Sequence, residues 1–185
     1  MIDRYEVRLS GSGGQGLILA GKILAEAAVI FDGHNAVQTQ SYGPEARGGA
    51  SKAEVVISEG EIDYPKAIKL DLMLALTQAS CSKYISDLKD DGILIVDSGT
   101  VKDIPDGKYK VYAAPISKIA IEEIGKAVVT NIVALGILTK ISGVVSEEAM
   151  RKAILRRVPK GTEELNMKAF DVGLKKGEEL LSSKK

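Results

Sequence analysis

A glycine-rich turn, residues 11–16, lies between a predicted first strand and a predicted first helix. Tyr5–Ser10 alternates as a strand, and Leu17–Phe31 is a helix that is apolar around most of its circumference. In this setting backbone N–H groups point outward at a helix N-terminus, which carries partial positive charge and suits an anion. The glycines that match the G-x-G-x-x-G spacing are Gly11, Gly13 and Gly16.

This spacing leaves four interpretations open. A dinucleotide site also needs an acidic residue at the end of the second strand, but Ala36–Gln40 is followed by Ser41, and Asp32 lies before that strand. A nucleotide phosphate loop needs Gly-Lys-Ser/Thr, which does not follow. In a purely structural interpretation the glycines serve only a tight turn and close helix–sheet packing. The fourth interpretation is an anion or partner site that does not bind a dinucleotide.

A second loop follows the second strand at residues 42–49, with the sequence Tyr-Gly-Pro-Glu-Ala-Arg-Gly-Gly. If Glu45 and Arg47 only pair with each other on the surface, the pair contributes little. In the functional interpretation, Arg47 presents a planar donor fork to a carboxylate or phosphate. Ligands of doubly wound sheets bind at the carboxyl ends of the strands. We therefore expect both loops, Thr77-Gln78 and Asp97-Ser98 to converge on one rim.

The remaining pattern predicts a single α/β domain over residues 1–185, a doubly wound, mostly parallel Rossmann-like sheet with helices on both faces and a helical C-terminal section. The further predicted strands are Ala53–Ile57 (half-exposed), Leu70–Leu76 and Gly92–Val96 (central) and Lys110–Ala113 (edge). The further predicted helices are Gln78–Leu88, Thr130–Ile141, one that Ser146 caps and Arg156-Arg157 ends, and one that Thr162 starts.

Composition excludes several classes of function. The 185 residues carry 25 basic and 25 acidic side chains, which argues against bulk attraction to nucleic acid or an anionic membrane. The only cysteine, Cys81, rules out a disulfide framework and any cluster held by several cysteines of this chain. No apolar run reaches membrane-spanning length, so we expect a cytoplasmic protein.

His34 has no residue spaced to partner it and is expected in a turn, while Cys81 is expected to be a small packing residue. We find no nucleophile–base–orienter set.

The two loops, in this order and at this spacing, strongly resemble the gamma subunit of 2-oxoacid:ferredoxin oxidoreductases. The segment Asn131–Leu138 and the Ser146 helix are similar to that family too, so the resemblance covers essentially the whole chain. The Ser-Tyr-Gly-Pro-Glu form of the second loop looks more like the 2-oxoglutarate and branched-chain enzymes than the pyruvate enzymes, and we favour 2-oxoglutarate.

The resemblance implies one subunit of a complex that decarboxylates a 2-oxoacid on thiamine diphosphate with Mg. Such a complex passes electrons through [4Fe–4S] clusters to ferredoxin and transfers the acyl group to coenzyme A. The expected partners are the alpha and beta subunits and, where present, a delta subunit. This chain lacks a Gly-Asp-Gly thiamine motif. We therefore expect it to contribute surface, shape and an anion site, to have no catalytic residue or metal of its own, and to be inactive alone.

The candidate cofactor-binding residues lie in the two loops. They are Gly11, Ser12, Gly13, Gly14, Gln15 and Gly16 in the first, and Tyr42, Gly43, Glu45, Arg47, Gly48 and Gly49 in the second. Two alternatives stay open: a freestanding dinucleotide-binding oxidoreductase, and a purely structural interaction subunit. The isolated chain is also expected to be able to self-associate through surface meant for partners.

Overall fold

The structure is a computed structural model that describes residues 2–42 and 50–183, with Tyr42 described by its backbone alone. Six strands form one sheet within these ranges, in the order β2-β3-β1-β4-β5-β6. The strands are β1 (Tyr5–Ser12), β2 (Asn35–Tyr42), β3 (Ala50–Ser58), β4 (Leu70–Ala75), β5 (Leu88–Asp97) and β6 (Lys110–Ala114). The predicted α/β sheet is therefore confirmed.

One strand is reversed in this mostly parallel sheet. Neighbouring strands from β1 through β4 and β5 to β6 are parallel, whereas β3 is antiparallel to both β1 and β2. Because β3 lies between β1 and β2, the second strand of the chain is not a neighbour of the first. In a dinucleotide-binding fold those two strands are adjacent, so this topology disfavours the dinucleotide interpretation.

The predicted helices occur in the predicted order, with differences at their ends, but the structure adds a short helix at Ile116–Ile119, continued by a π-helical turn at Ala120–Ile124, that the sequence did not predict. The longer ones are α1 (Leu17–Glu26), α4 (Thr130–Ser142), α5 (Glu147–Arg157) and α6 (Glu163–Ser182), and the shorter ones are α2 (Gln78–Tyr84) and α3 (Ile116–Ile119). The predicted helix to Phe31 continues beyond α1 as a π-helical turn, Ala27–Phe31. The predicted helix to Leu88 ends earlier, because a 3-10 turn at Ile85–Asp87 leads directly into β5.

The helices cover both faces of the sheet unequally. A large apolar cluster joins one face, through residues such as Leu9 and Leu72, to α1, α4, α5 and α6. A smaller cluster joins Met73 and Leu94 on the other face to Cys81 and Tyr84 of α2. The predicted cover on both faces is confirmed, and the helical C-terminal section forms the thicker layer.

The prediction that β3 is half-exposed is wrong. Glu54 and Val56, assigned to the solvent side, are 6% and 0% exposed. Arg8 of β1 lies opposite Glu54 in the sheet, and its guanidinium donates to that carboxylate. Polar and apolar residues do alternate along β3, but Glu54 on its polar face is buried in an ion pair.

Two contacts organise the helical layer. Ser146 begins α5 as predicted, because its Oγ accepts a hydrogen bond from the Ala149 amide at 3.1 Å. Gly136 of α4 allows a close approach of α6, since a Cβ there would lie 2.5 Å from the Phe170 carbonyl oxygen and 2.8 Å from the Gly173 Cα. α4 is therefore closely packed between the sheet and α6.

Candidate functional site

The glycine loop lies at the carboxyl end of β1, as the sequence predicts. Gly11 and Ser12 are the last residues of β1, and α1 begins after Gly16. Gly16 has φ +72° and ψ +23°, a left-handed conformation that favours glycine. The loop thus turns directly from the strand into the first turn of the helix.

The side chain of Gln15 closes the loop on itself. Its Oε1 accepts a hydrogen bond from the Ser12 amide at 2.7 Å, and the Gln15 amide donates to the Ser12 carbonyl at 3.4 Å. A Cβ on Gly11 would collide with that same Oε1. The Gln15 side chain therefore has a scaffolding role within the candidate site.

Asn131, in the first turn of α4, holds the other end of the loop. Its Nδ2 donates to the Gly16 carbonyl at 3.0 Å, its Oδ1 accepts from the Ile132 amide at 2.9 Å, and the residue is 4% exposed. Sequence reasoning assigned no role to this residue. The signal for it was a polar amide at the start of a helix that is apolar on nearly all sides.

Two clefts flank the glycine loop. One, of about 280 Å³, is lined by residues 12–19 and Ser51. The other, of about 360 Å³, lies between Gly14-Gln15 and the segment that leads into α4. The first turn of α1 contains no acidic residue, and Gly16 offers it no side-chain cap. Its amides therefore present partial positive charge to the first cleft, an arrangement suited to an anionic group.

The second loop is only partly covered by the structure. Gly43, Glu45, Arg47, Gly48 and Gly49 lie outside the described residues, and of Tyr42 only the backbone is described. Tyr42 is opposite Ser51 and Ser12 is opposite Ala50, so both ends of this loop meet the glycine loop at the same edge of the sheet. Ligand binding by these residues stays a prediction.

The other predicted rim residues reach the same edge, and the side chains of Thr77, Gln78 and Asp97 serve the scaffold. Thr77 caps α2 by accepting a hydrogen bond from the Ser80 amide at 3.2 Å. Gln78 accepts hydrogen bonds from the amides of Lys102 and Asp103.

The buried Asp97 carboxylate behaves similarly, accepting 3.0 Å hydrogen bonds from the amides of Gly99 and Ser117. The contribution of these side chains is to position the strand ends.

Three residues whose side chains could take part in chemistry, Asp32, His34 and Cys81, instead occupy positions that stabilise the fold. Asp32 accepts hydrogen bonds from the amide and hydroxyl of Ser146 at 2.6 and 2.7 Å, at the start of α5 and away from the glycine loop. The His34 amide donates to the Ala28 carbonyl in a turn, and Cys81 is fully buried. Burial raises the pKa of the Cys81 thiol, which suits a packing residue.

The described residues contain no group of three or more His, Cys, Asp or Glu side chains placed to hold a metal ion. Across the same part of the chain, no helix is long and apolar enough to cross a membrane.

Residues 6–176 match the sequence model of the family described as pyruvate ferredoxin/flavodoxin oxidoreductase. The chain belongs to this family. Among its relatives, the 2-oxoglutarate synthase subunit KorC of Methanocaldococcus jannaschii is 53% identical over 96% of both chains. The KorC subunit of Archaeoglobus fulgidus is 38% identical over 100% of this chain and 94% of its own. The pyruvate synthase subunit PorC of Methanocaldococcus jannaschii is 33% identical over 90% of this chain and 93% of its own.

Solved structures of the family agree with the fold. The keto/oxoacid ferredoxin oxidoreductase gamma subunit from Geobacter sulfurreducens has 55% identity and a TM-score of 0.86, covering 94% of this chain and 98% of its own. The 2-oxoglutarate:ferredoxin oxidoreductase from Magnetococcus marinus, solved with 2-oxoglutarate, coenzyme A and succinyl-CoA, has a TM-score of 0.85 over 96% of this chain and 32% of its own. Its 23% identity makes that a likeness of fold. The predicted family membership is confirmed.

Proposed function

We propose that this chain is the gamma subunit of a 2-oxoglutarate:ferredoxin oxidoreductase. The observation that carries the proposal is a comparison within one organism. The 2-oxoglutarate synthase subunit of Methanocaldococcus jannaschii is 53% identical to this chain, whereas the pyruvate synthase subunit of that organism is 33% identical. Both matches cover at least 90% of each chain, so the difference reflects the whole domain.

The proposed reaction converts 2-oxoglutarate and coenzyme A to succinyl-CoA, carbon dioxide and a proton, while two ferredoxins each accept one electron. Thiamine diphosphate with Mg and the [4Fe–4S] clusters are assigned to alpha, beta and, where present, delta subunits. This assignment agrees with the single cysteine of the chain, which cannot supply the cysteines of a cluster. Because coenzyme A and ferredoxin are cytoplasmic molecules, the proposal includes that location, and it treats residues 1–185 as one gamma-type domain.

The part of the reaction assigned to this chain is binding of coenzyme A at the glycine loop. Coenzyme A carries phosphate groups, and the uncapped first turn of α1 offers amides to an anion. The groups available to hold it are the amides of Leu17 to Leu19 and the hydroxyls of Ser12 and Ser51, which belong to residues that line the 280 Å³ cleft. The chain then orients the acyl acceptor, while partner subunits carry the redox chemistry. The second loop, with Tyr42, Glu45 and Arg47, is proposed to complete the site.

Gly13→Ala tests this site in the assembled complex. Gly13 has no positive φ, and a Cβ there would meet nothing within 4 Å, so the added methyl alters the cleft without straining the loop. We expect the KM for coenzyme A to rise about tenfold, since glycine lets backbone approach a phosphate closely, while the KM for 2-oxoglutarate stays unchanged. Gly60→Ala is the matched control, because it too has room for a Cβ and no positive φ. An unchanged KM for coenzyme A in Gly13→Ala would remove the loop from the site.

Two further measurements separate this function from its alternatives. Arg47→Ala in an assembled complex is expected to weaken coenzyme A use, whereas a purely structural subunit predicts full activity from every loop variant that assembles. Titration of the isolated chain with NAD and NADP is expected to show no saturable binding. Saturable binding would favour a freestanding dinucleotide-binding oxidoreductase.

A further inference from the structure

We propose that Asn131 is a positioning residue for the coenzyme A site, acting through the carbonyl of Gly16. This inference rests on the proposed function of the glycine loop. Asn131 and Gly16 are 115 positions apart in the sequence, yet the Asn131 Nδ2 lies 3.0 Å from the Gly16 oxygen. The contact joins the loop to a helix that contributes no other hydrogen bond to it in the described part of the chain.

Burying the side-chain amide of Asn131 has a cost in free energy. Asn131 is 4% exposed, and the nine following residues of α4 contain only one other buried polar side chain, Thr139. An amide buried among apolar groups is unfavourable unless it is hydrogen-bonded. An apolar side chain at this position would pack in α4 at a lower cost in free energy. The amide is therefore explained by its two hydrogen bonds: its Oδ1 accepts from the Ile132 amide in the first turn of α4, and its Nδ2 carries the contact to the Gly16 carbonyl.

Asn131 and Gly16 also fit each other sterically. A Cβ on Gly16 would lie 2.5 Å from the Asn131 Nδ2, so the amide occupies the space that a side chain at position 16 would need. Gly16 also has φ +72°, which favours glycine on its own account. The Asn131 side chain thus fills the space that the absence of a side chain at Gly16 leaves, so the two residue types are sterically complementary.

This pair acts on the proposed ligand site through the start of α1. The Gly16 carbonyl also accepts the Ala20 amide at 3.0 Å, which is the first hydrogen bond of the α1 ladder. Asn131 therefore fixes the peptide group from which α1 starts, and with it the direction of the first-turn amides toward the cleft. α4 is buried from Thr130 to Thr139, so the anchor is set in a rigid part of the core. Such support behind a binding group keeps its geometry ready before the ligand arrives.

The test compares Asn131→Ala with Asn166→Ala in the assembled complex. Asn166 is an equally suitable buried amide, 7% exposed, whose Nδ2 donates to the Thr162 carbonyl at 2.8 Å in α6 rather than to the loop. Both variants are expected to lower the unfolding temperature. Asn131→Ala alone is expected to raise the KM for coenzyme A about tenfold, the effect of one lost positioning contact. Its kcat and its KM for 2-oxoglutarate are expected to stay at the wild-type values.

A second variant and a second readout keep the test decisive. Asn131→Ser deletes the same donor with a smaller change in polarity and substitutes for Asn131→Ala if that variant does not assemble. Calorimetric titration with coenzyme A in the absence of 2-oxoacid is expected to show the same loss of affinity as the KM. The inference is overturned if Asn131 variants bind coenzyme A as tightly as Asn166→Ala does.

Gly13→Ala, measured in parallel, separates failure of the inference from failure of the proposed function. If Gly13→Ala weakens coenzyme A binding and the Asn131 variants do not, the positioning role alone falls. If none of these variants changes coenzyme A binding, the ligand site lies elsewhere, and both the glycine-loop site and the positioning role of Asn131 fall. A wild-type complex that does not oxidise 2-oxoglutarate removes the proposed function itself.

Discussion

Arg8 and Glu54 lie directly opposite each other on β1 and β3, and the Nε of Arg8 donates to the Glu54 carboxylate at 2.8 Å. The two residues are 2% and 6% exposed. Lys52 donates to the same carboxylate oxygen at 2.8 Å, Asp87 pairs with Arg8, and the Tyr84 ring centre lies 5.1 Å from the Arg8 guanidinium carbon. Arg8 and Glu54 are thus buried as an ion pair, with the more exposed Lys52 and Asp87 as further partners in this network, and buried charges are tolerated when they are paired in this way.

Glu54→Gln is predicted to destabilise the fold substantially. The substitution keeps the volume of the side chain but leaves buried Arg8 with one carboxylate fewer, and breaking a buried pair costs about 3 kcal/mol in the free energy of unfolding. Chemical denaturation of the purified chain measures this loss. Glu148→Gln is the control, because Glu148 forms only an exposed ion pair with Lys152 and its loss is expected to change stability little. Equal effects of the two substitutions would contradict the role given to the network.

The same network predicts a loss of stability in acid. Burial by itself raises the pKa of Glu54, but hydrogen bonds from Lys52 and Arg8 outweigh it and hold the pKa below its ordinary value of 4.5. A lowered folded-state pKa means that the contribution to stability is complete above 4.5 and is lost as the pH falls through the lowered value. Thermal unfolding at pH 7 and at progressively lower pH is expected to show the wild type and Glu54→Gln converging in acid. A constant difference between them would be inconsistent with this titration.

Gly136→Ala is predicted to loosen the packing of α4 on α6. The new Cβ would lie 2.5 Å from the Phe170 carbonyl oxygen, and backbone there cannot move aside without shifting the helix. Overpacking of this kind costs about 2 kcal/mol, measurable as a lower midpoint of denaturation. Gly60→Ala serves as the control, because a Cβ there would make only an ordinary contact, 3.8 Å from the Ser58 Oγ. A Gly136→Ala protein as stable as Gly60→Ala would show that the two helices can separate at little cost.

The thiol of Cys81 is predicted to be unreactive in the folded protein. Cys81 is fully buried against the sheet, and burial raises the pKa of its thiol, so little thiolate is present to react. A chromogenic disulfide reagent is expected to label the chain only after denaturant is added. Rapid labelling of the native chain would mean that α2 opens readily.

The order and type of the main elements follow from local patterns in the sequence. Continuously apolar segments predicted β4 and β5 as central strands, and Ser146 followed by two glutamates predicted the start of α5. The glycine loop was predicted because a strand, a glycine-rich turn and an apolar helix follow one another without interruption. In each case the cause lies within a few residues of the effect.

The features that were missed depend on pairing between distant segments. Nothing near Glu54 indicates that Arg8 will be its partner across the sheet, so the alternating pattern predicts a half-exposed strand. The reversal of β3 between β1 and β2 is likewise a property of strand pairing, which local periodicity does not encode. The contact of Asn131 with Gly16 spans 115 positions, and its indication in the sequence is a single amide side chain in an apolar helix.

The most direct test of the central claim is to produce this chain with its partner subunits and assay the purified complex. The assay follows reduction of ferredoxin or a viologen dye with 2-oxoglutarate, pyruvate and a branched-chain 2-oxoacid, each with and without coenzyme A. We predict that the chain copurifies with a thiamine-binding subunit and that the complex is most active with 2-oxoglutarate, dependent on coenzyme A. A higher kcat/KM for pyruvate or a branched-chain 2-oxoacid, or a chain that purifies alone and inactive, would contradict the account.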